Sequence, residues 1–137
     1  MSRSAQIELD WADGTYTFRL AWKELGLLQE ACDAGPLVVL SRLQDGTWRI
    51  DDISHVLRLG LIGGGMSPAE ALKKIRAYVM DRVPAENALA AQVVLAAACY
   101  GAPEESVGNP EAASQGSVSM TSRTESSGSP PSTEQEP

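Results

Sequence analysis

The chain has 137 residues, a formal charge of −7 and an aromatic content of only 5%. This length has room for one domain and a tail, and an apolar fraction of 43% suffices for one core. Nucleic acids and anionic membranes both attract clustered Lys and Arg, which an acidic chain offers poorly. We therefore expect neither a nucleic-acid partner nor a membrane partner.

The first predicted element is a β-hairpin over residues 6–20. Apolar and polar residues alternate on both sides of Asp13-Gly14, a dipeptide that suits a two-residue type I′ turn. All six apolar side chains then fall on one face. The predicted cross-strand pairs are Trp11 with Tyr16, Leu9 with Phe18, and Ile7 with Leu20.

About five short helices are predicted to cover this apolar face. The first ends before Gly35-Pro36 and the second near Asp45-Gly46. The third begins at Asp51-Asp52, and we expect one of these two carboxylates to cap it. The other two helices begin at a Ser67 N-cap and at Pro84, and the last of them is apolar and rich in alanine.

The composition changes abruptly after Gly101. Residues 102–137 contain no aromatic residue, no Leu and no Ile, and they carry six glutamates and one arginine. Such a segment cannot bury enough apolar area to offset the entropy cost of ordering its backbone. The predicted fold class is thus α+β, mainly α: a compact hairpin-plus-helices domain over residues 1–101, and a disordered acidic tail over 102–137.

Side chains that could perform catalysis are scarce. His55 is the only histidine, and its apolar helical setting indicates a boundary residue. Cys32 and Cys99 are expected to be buried free thiols, since the polar N-terminal residues show no secretory signal. Asp51-Asp52 could also be read as a metal-binding pair, but helix capping explains it more simply. We expect no enzyme activity, no cofactor, no metal site, and a cytoplasmic location.

Two further patterns invite a ligand-binding interpretation. The glycine-rich residues 60–65 resemble a phosphate loop, but they follow a helix and contain no Gly-Lys-Ser/Thr or G-x-G-x-x-G motif. They predict a helix end and a tight connection instead. Lys73, Lys74 and Arg76 form a small basic face, which we expect to be solvated because no aromatic residue is interleaved with it.

The order of these features resembles a known family. A hairpin similar to L-D-G-x-x-Y-x-L-R-L leads into a Leu-rich helix, here residues 9–20 and 25–31. An L-R-x-G-L-x-G-G-G block follows at residues 57–65, then an S-P-x-E-A helix and an Ala-rich helix. Over residues 5–101 the chain is similar to the small proteins that gene transfer agents and tailed phages encode between the tail tube and the tape measure.

The resemblance implies a tail-assembly chaperone in the host cytoplasm. Its partner would be the tape-measure protein, kept covered before tube subunits polymerise around it. Tail-tube subunits are further possible partners, as is a second copy of the chain. Two alternatives stay open: a minor structural component of the tail, although tube proteins are mostly β, or an adaptor domain unrelated to phages. A frameshift-extended form is also an open question.

The surface expected to bind the partner comprises the glycine-rich connection, residues 60–66, and the exposed side of the Ala-rich last helix. Leu61, Ile62 and Met66 cluster where a turn would leave apolar groups exposed. Packing of the same three side chains beneath the turn is an equally good interpretation.

Overall fold

The hairpin leads the chain in the computed structural model, which describes residues 4–103. Strand β1 (Gln6–Trp11) pairs antiparallel with β2 (Gly14–Arg19). The turn lies one residue earlier than predicted: Ala12 and Asp13 occupy it, with Ala12 at a φ of 55°. The Asp13 carboxylate accepts hydrogen bonds from the Tyr16 hydroxyl and from Lys74 Nζ, and these contacts favour this turn over one at Asp13-Gly14.

The predicted cross-strand pairs are therefore wrong. Every apolar residue of β1 faces a residue two positions earlier in β2 than expected, so the apolar side chains still share one face. The observed pairs are Trp11 with Gly14, Leu9 with Tyr16, and Ile7 with Phe18.

Five α-helices follow the hairpin, which confirms the predicted fold class. A π-helical turn, Arg76–Met80, continues the fourth helix, and a 3-10 turn, Pro84–Asn87, precedes the fifth. The helices are α1 (Trp22–Cys32), α2 (Pro36–Asp45), α3 (Ile50–Gly63), α4 (Pro68–Ile75) and α5 (Ala88–Tyr100).

Side chains stabilise the beginnings of three helices. Ser67 is the N-cap of α4, as predicted, and its Oγ accepts the Glu70 N–H at 3.2 Å. Asp52 caps α3 from the third helical position, where its carboxylate accepts the Arg49 N–H at 2.9 Å. Glu24 does the same in α1 and accepts the Ala21 N–H at 3.1 Å. Each acid satisfies a backbone donor that the helix leaves unpaired.

Helix α3 is the centre of the domain, because β2, α1, α4 and α5 all pack against it. Within residues 4–103, no helix combines the length and the apolar character needed to cross a membrane. The predicted acidic tail falls, from residue 104 onward, outside the described residues. The largest fully buried side chains include Phe18, Leu28, Ile53, Leu57, Leu61, Ile75 and Leu95.

Candidate interaction surfaces

The glycine-rich end of α3 lies directly against the outer edge of β2. A Cβ atom added at Gly63 would lie 1.8 Å from the Arg19 carbonyl oxygen, and one added at Gly64 would lie 2.1 Å from that of Thr17. Only glycine permits this approach of helix backbone to strand backbone. The last turn of α3 thereby covers the β2 edge, which is one way in which proteins protect exposed strand edges.

The three residues expected to bind a partner lie at this helix end. Leu61 is only 1% exposed and belongs to the core, so its expected exposure is wrong. Ile62 and Met66 are half-buried and pack against the core, as the alternative interpretation held. The Met66 N–H donates to the Leu61 carbonyl at 3.0 Å, which closes the connection tightly. Partner binding by Leu61, Ile62 or Met66 stays an untested prediction.

The opposite end of α3 holds a buried ion pair. Asp52 is fully buried, and Arg42 Nη1 of α2 donates to its Oδ1 at 3.1 Å. Together with the bond from the Arg49 N–H, this contact compensates the carboxylate for its lost hydration. The second acidic residue, Asp51, is exposed. Asp52 therefore fixes the beginning of α3 on α2 and has the capping role expected for one of these two carboxylates.

The pKa values of the two candidate nucleophiles and of the candidate base are shifted by burial. Burial, reinforced by the nearby Asp52 carboxylate, raises the pKa of the Cys32 thiol to about 12. Burial also raises the pKa of the half-buried Cys99, and both cysteines are free thiols. The pKa of His55 is lowered by burial and by Arg58, whose Nη2 lies 3.1 Å from the imidazole Nδ1. A neutral thiol is a poor nucleophile.

Lys74 is only partly exposed and is engaged in contacts, contrary to the expectation of a freely solvated side chain. Its Nζ donates to Asp13 Oδ2 at 3.0 Å and lies 5.4 Å from the Tyr16 ring centroid and 5.7 Å from that of Tyr78. The pKa of Asp13 is lowered to about 2. The hydrogen bond from the Tyr16 hydroxyl is the largest cause, and the hydrogen bond from Lys74 is the next largest. Lys74 thus attaches the hairpin turn to α4, and Lys73 and Arg76 remain exposed.

Asn87 is a structural residue that the sequence analysis missed. Its side-chain oxygen accepts the Trp11 Nε1–H at 2.8 Å, and its Nδ2 donates to the Tyr78 carbonyl at 2.9 Å. That carbonyl belongs to the π-helical turn, where regular helical bonding is interrupted. One buried amide therefore joins the hairpin, the π-helical turn and the beginning of α5. Asparagine at a helix start predicts a cap, and nothing in the sequence points to these distant partners.

An apolar pocket of about 260 Å³ opens between the beginning of α3 and the π-helical turn. We call it the Ile50 pocket. Ile50 and Met80 line it and are 65% and 59% exposed, and Val83, next to the lining residues Arg82 and Pro84, is 69% exposed. Two large apolar side chains so exposed at one pocket are typical of an interaction surface. The remaining lining residues are Asp51, Ile53, Ser54 and Val79.

A second groove, of about 400 Å³, separates β1 from the beginning of α5. We call it the β1–α5 groove. Leu9 and Trp11 form one wall, and Leu89, Ala90 and Val93 form the other. The wall formed by α5 belongs to the Ala-rich helix whose exposed side was expected to bind a partner, whereas neither surface includes Leu61, Ile62 or Met66.

Residues 4–101 match a family model described as "Phage tail tube protein, GTA-gp10". The chain belongs to this family. The search of curated proteins and the search of solved structures each gave no match. Membership confirms the resemblance at the level of a gene-transfer-agent or phage tail family, and it does not distinguish a chaperone from a tube component.

The match to the GTA-gp10 family extends over both strands and all five helices described above. It therefore includes the glycine-rich end of α3, the Ile50 pocket and the β1–α5 groove. Membership of the GTA-gp10 family relates the chain to phage tails. It therefore argues against the alternative of an adaptor domain unrelated to phages.

Proposed function

We propose that this protein is a tail-assembly chaperone, which binds the tape-measure protein and keeps it soluble until tube subunits enclose it. The observation that carries the proposal is the Ile50 pocket, where apolar side chains of α3 and the π-helical turn remain exposed. A tape-measure protein presents long apolar helical stripes before its tube forms, and such stripes aggregate if uncovered.

The chemistry of the pocket supports a helical ligand. Ile53 and Val79 supply a buried apolar floor, and Ile50 and Met80 form exposed apolar walls. An amphipathic helix inserts one or two apolar side chains into such a groove, and flexible methionine side chains adapt to different occupants. Asp51 and Arg82 at the rim can contact polar groups that flank the inserted side chain.

The contacts of the side chains with catalytic potential also support a binding function in place of catalysis. The side chains with catalytic potential already have structural partners: Asp52 pairs with Arg42, and His55 contacts Arg58. Cys32 is buried with a strongly raised pKa. We therefore propose a non-enzymatic role that requires no cofactor, exercised in the cytoplasm of the host cell during particle assembly.

The proposal is tested by co-expression with the tape-measure protein of the same tail cluster. We expect the full chain to keep the tape-measure protein in the soluble fraction and to co-purify with it. The double variant Ile50→Asp/Met80→Asp should lose both effects, because two charges would line the pocket. Leu37→Asp is the matched control, since Leu37 is 54% exposed on α2 and lies outside the pocket. Co-purification that survives the double variant would contradict the assignment.

A second candidate is a minor structural component retained in the tail, which the family description of a tail tube protein favours. Quantitative mass spectrometry of purified particles distinguishes the two functions. A fixed copy number in the finished particle supports the structural role. Detection in assembling cells together with absence from finished particles supports the chaperone.

A further inference from the structure

The outer edge of β1 has no partner strand among residues 4–103. The two residues that flank a two-residue turn form a hydrogen-bonded pair, here Trp11 and Gly14, and hydrogen-bonded pairs then alternate along the ladder. Glu8 and Asp10 are in the intervening positions, so their N–H and C=O groups point away from β2. No backbone hydrogen bond outside the hairpin ladder engages these groups within the described residues.

The two edges of the hairpin thus differ. The carbonyls of Thr17 and Arg19 on the outer edge of β2 meet the glycines of α3. On the edge of β1, the Gln6 N–H donates to Ser4 Oγ at 3.0 Å, and the edge beyond Gln6 borders the β1–α5 groove. An uncovered strand edge is a template for another strand.

The groove beside this edge is lined largely by apolar side chains, which can receive the apolar side chains of an added strand. Leu9 is half-buried in β1, and Leu89, on the facing side of α5, is 67% exposed. Ala90 is small and leaves room between them, and Val93 closes the groove further along. A strand added to β1 would direct every second side chain into this apolar space.

The other face of the edge is acidic. Glu8 and Asp10 are exposed neighbours on that face, and the Asp10 carboxylate accepts a bond from Thr15 Oγ1 at 2.6 Å. Opposite charges on directly paired residues stabilise a sheet, and like charges destabilise it. A strand placed beside β1 therefore binds better with Lys or Arg on this face.

We propose that the outer edge of β1 accepts an extended segment of a partner protein, in which Lys or Arg alternates with apolar residues, as a third strand. Main-chain hydrogen bonds to Glu8 and Asp10 hold the segment, and its apolar side chains enter the β1–α5 groove. A second copy of β1 is a poorer occupant, because symmetric pairing would place Glu8 opposite Glu8. The chain's own residues 104–137 carry six glutamates and one arginine, a net charge of the same sign as this edge, and like charges do not favour pairing.

This surface differs from the Ile50 pocket, on which the proposed chaperone function rests. The two share no lining residue. Loss of tape-measure binding and loss of strand binding are therefore separate outcomes, and either proposal can fail without the other.

The test uses the full chain and a synthetic peptide, Lys-Val-Lys-Val-Lys-Val-Lys. Calorimetry should detect binding of this peptide and no binding of its Glu-Val counterpart. On binding, hydrogen exchange at the Glu8 and Asp10 amides should slow at least tenfold, since these amides become donors to the added strand.

Two variants locate the binding at the edge. Glu8→Pro removes an outward N–H that the hairpin ladder does not use, as edge strands tolerate, and it should abolish peptide binding while the unfolding transition is preserved. Glu8→Lys should lower the affinity at least tenfold through like-charge repulsion. The matched control is Glu30→Lys, because Glu30 is an exposed acid on α1 outside the groove, and this variant should bind as the unchanged chain does.

Several results would overturn the proposal. Equal binding of both peptides is one such result. Unchanged binding of the Lys-Val peptide to Glu8→Lys is another, and it is decisive even if Glu8→Pro fails to fold. Slow exchange at Glu8 and Asp10 without any peptide would also overturn it. If that protection is independent of protein concentration, the occupant is the chain itself, and if it grows with concentration, the occupant is a second copy.

Discussion

The two ends of α3 face opposite demands although they belong to one helix. At the C-terminal end, Gly63 and Gly64 lack side chains, and the helix backbone touches the carbonyls of β2. At the N-terminal end, Asp52 is buried against Arg42, and Ile50 extends into solvent at the rim of a pocket. The glycine-rich connection, where the sequence predicted partner-binding residues, holds the fold together. Ile50 belongs to no distinctive sequence motif, yet it is the apolar residue that is available to a partner.

The largest effect is expected at the glycine end. Gly63→Ala would place a methyl group 1.8 Å from the Arg19 carbonyl oxygen, so the helix must move away from the strand. We expect the free energy of unfolding to fall by about 3 kcal/mol, at the upper end of overpacking effects. Urea denaturation followed by tryptophan fluorescence measures it.

Gly26→Ala in α1 is the control for this prediction, because nothing lies within 4 Å of the added methyl group. It should stabilise the domain by about 0.5 kcal/mol, since alanine is the better helix former. Similar effects of the two substitutions would show that the close contact between α3 and β2 does not contribute to stability.

The next effect is expected at the N-terminal end of α3. Asp52→Ala leaves the Arg42 guanidinium and the Arg49 N–H without their acceptor, and we expect a loss of about 3 kcal/mol in the free energy of unfolding. Asp51→Ala, in the adjacent exposed position, should cost no more than about 1 kcal/mol through the helix dipole. Equal losses in chemical denaturation would mean that the buried ion pair contributes nothing specific.

A smaller effect, dependent on pH, is expected at the hairpin turn. The pKa of Asp13 falls from its ordinary value of 3.8 to about 2 in the folded state, so the ionised form stabilises the fold. This contribution is fully present above pH 4 and is lost as the pH falls towards 2. Asp13→Asn should therefore be less stable than the unchanged chain at pH 6, and the difference should shrink as the pH falls from 4 through about 2. A stability difference that stays the same between pH 4 and pH 2 would contradict this account.

The smallest effect on stability is expected at the pocket rim. Ile50→Ser removes an exposed side chain, so the free energy of unfolding should change by less than about 0.5 kcal/mol. Thermal denaturation compares this variant with Leu61→Ser, which should lose at least 2 kcal/mol because Leu61 is buried. If the two variants lost similar stability, Ile50 would belong to the core and the contrast between the two ends of α3 would disappear.

Local chemistry explains which structural predictions are confirmed. The Ser67 cap and the hairpin depend on residues close in sequence, and both are present. The first helix ends before Gly35-Pro36, as predicted, but Asp33 is its left-handed cap, and Gly35-Pro36 begins α2 instead. The turn register depends also on Lys74, which is 61 positions from Asp13. Sequence periodicity contains no information about such a distant contact.

The surfaces were harder to predict than the fold. Leu61 and Ile50 are both large apolar residues of α3, and only the packing of β2 and α5 on that helix buries one and exposes the other. The Ile50 pocket also needs the π-helical turn that brings Met80 to its wall. A period of 3.6 residues does not reveal where a helix widens by one residue.

The hydrogen bond from the Ala102 N–H to the Ser4 carbonyl, 2.7 Å long, has a practical consequence. It brings both ends of the described domain to the beginning of β1, so a short linker can join them into a ring. New ends can then be opened at Gly46, an exposed helix end with a φ of 83°. In such a circular permutant an affinity tag would be attached between α2 and α3 and not to the residues that precede β1.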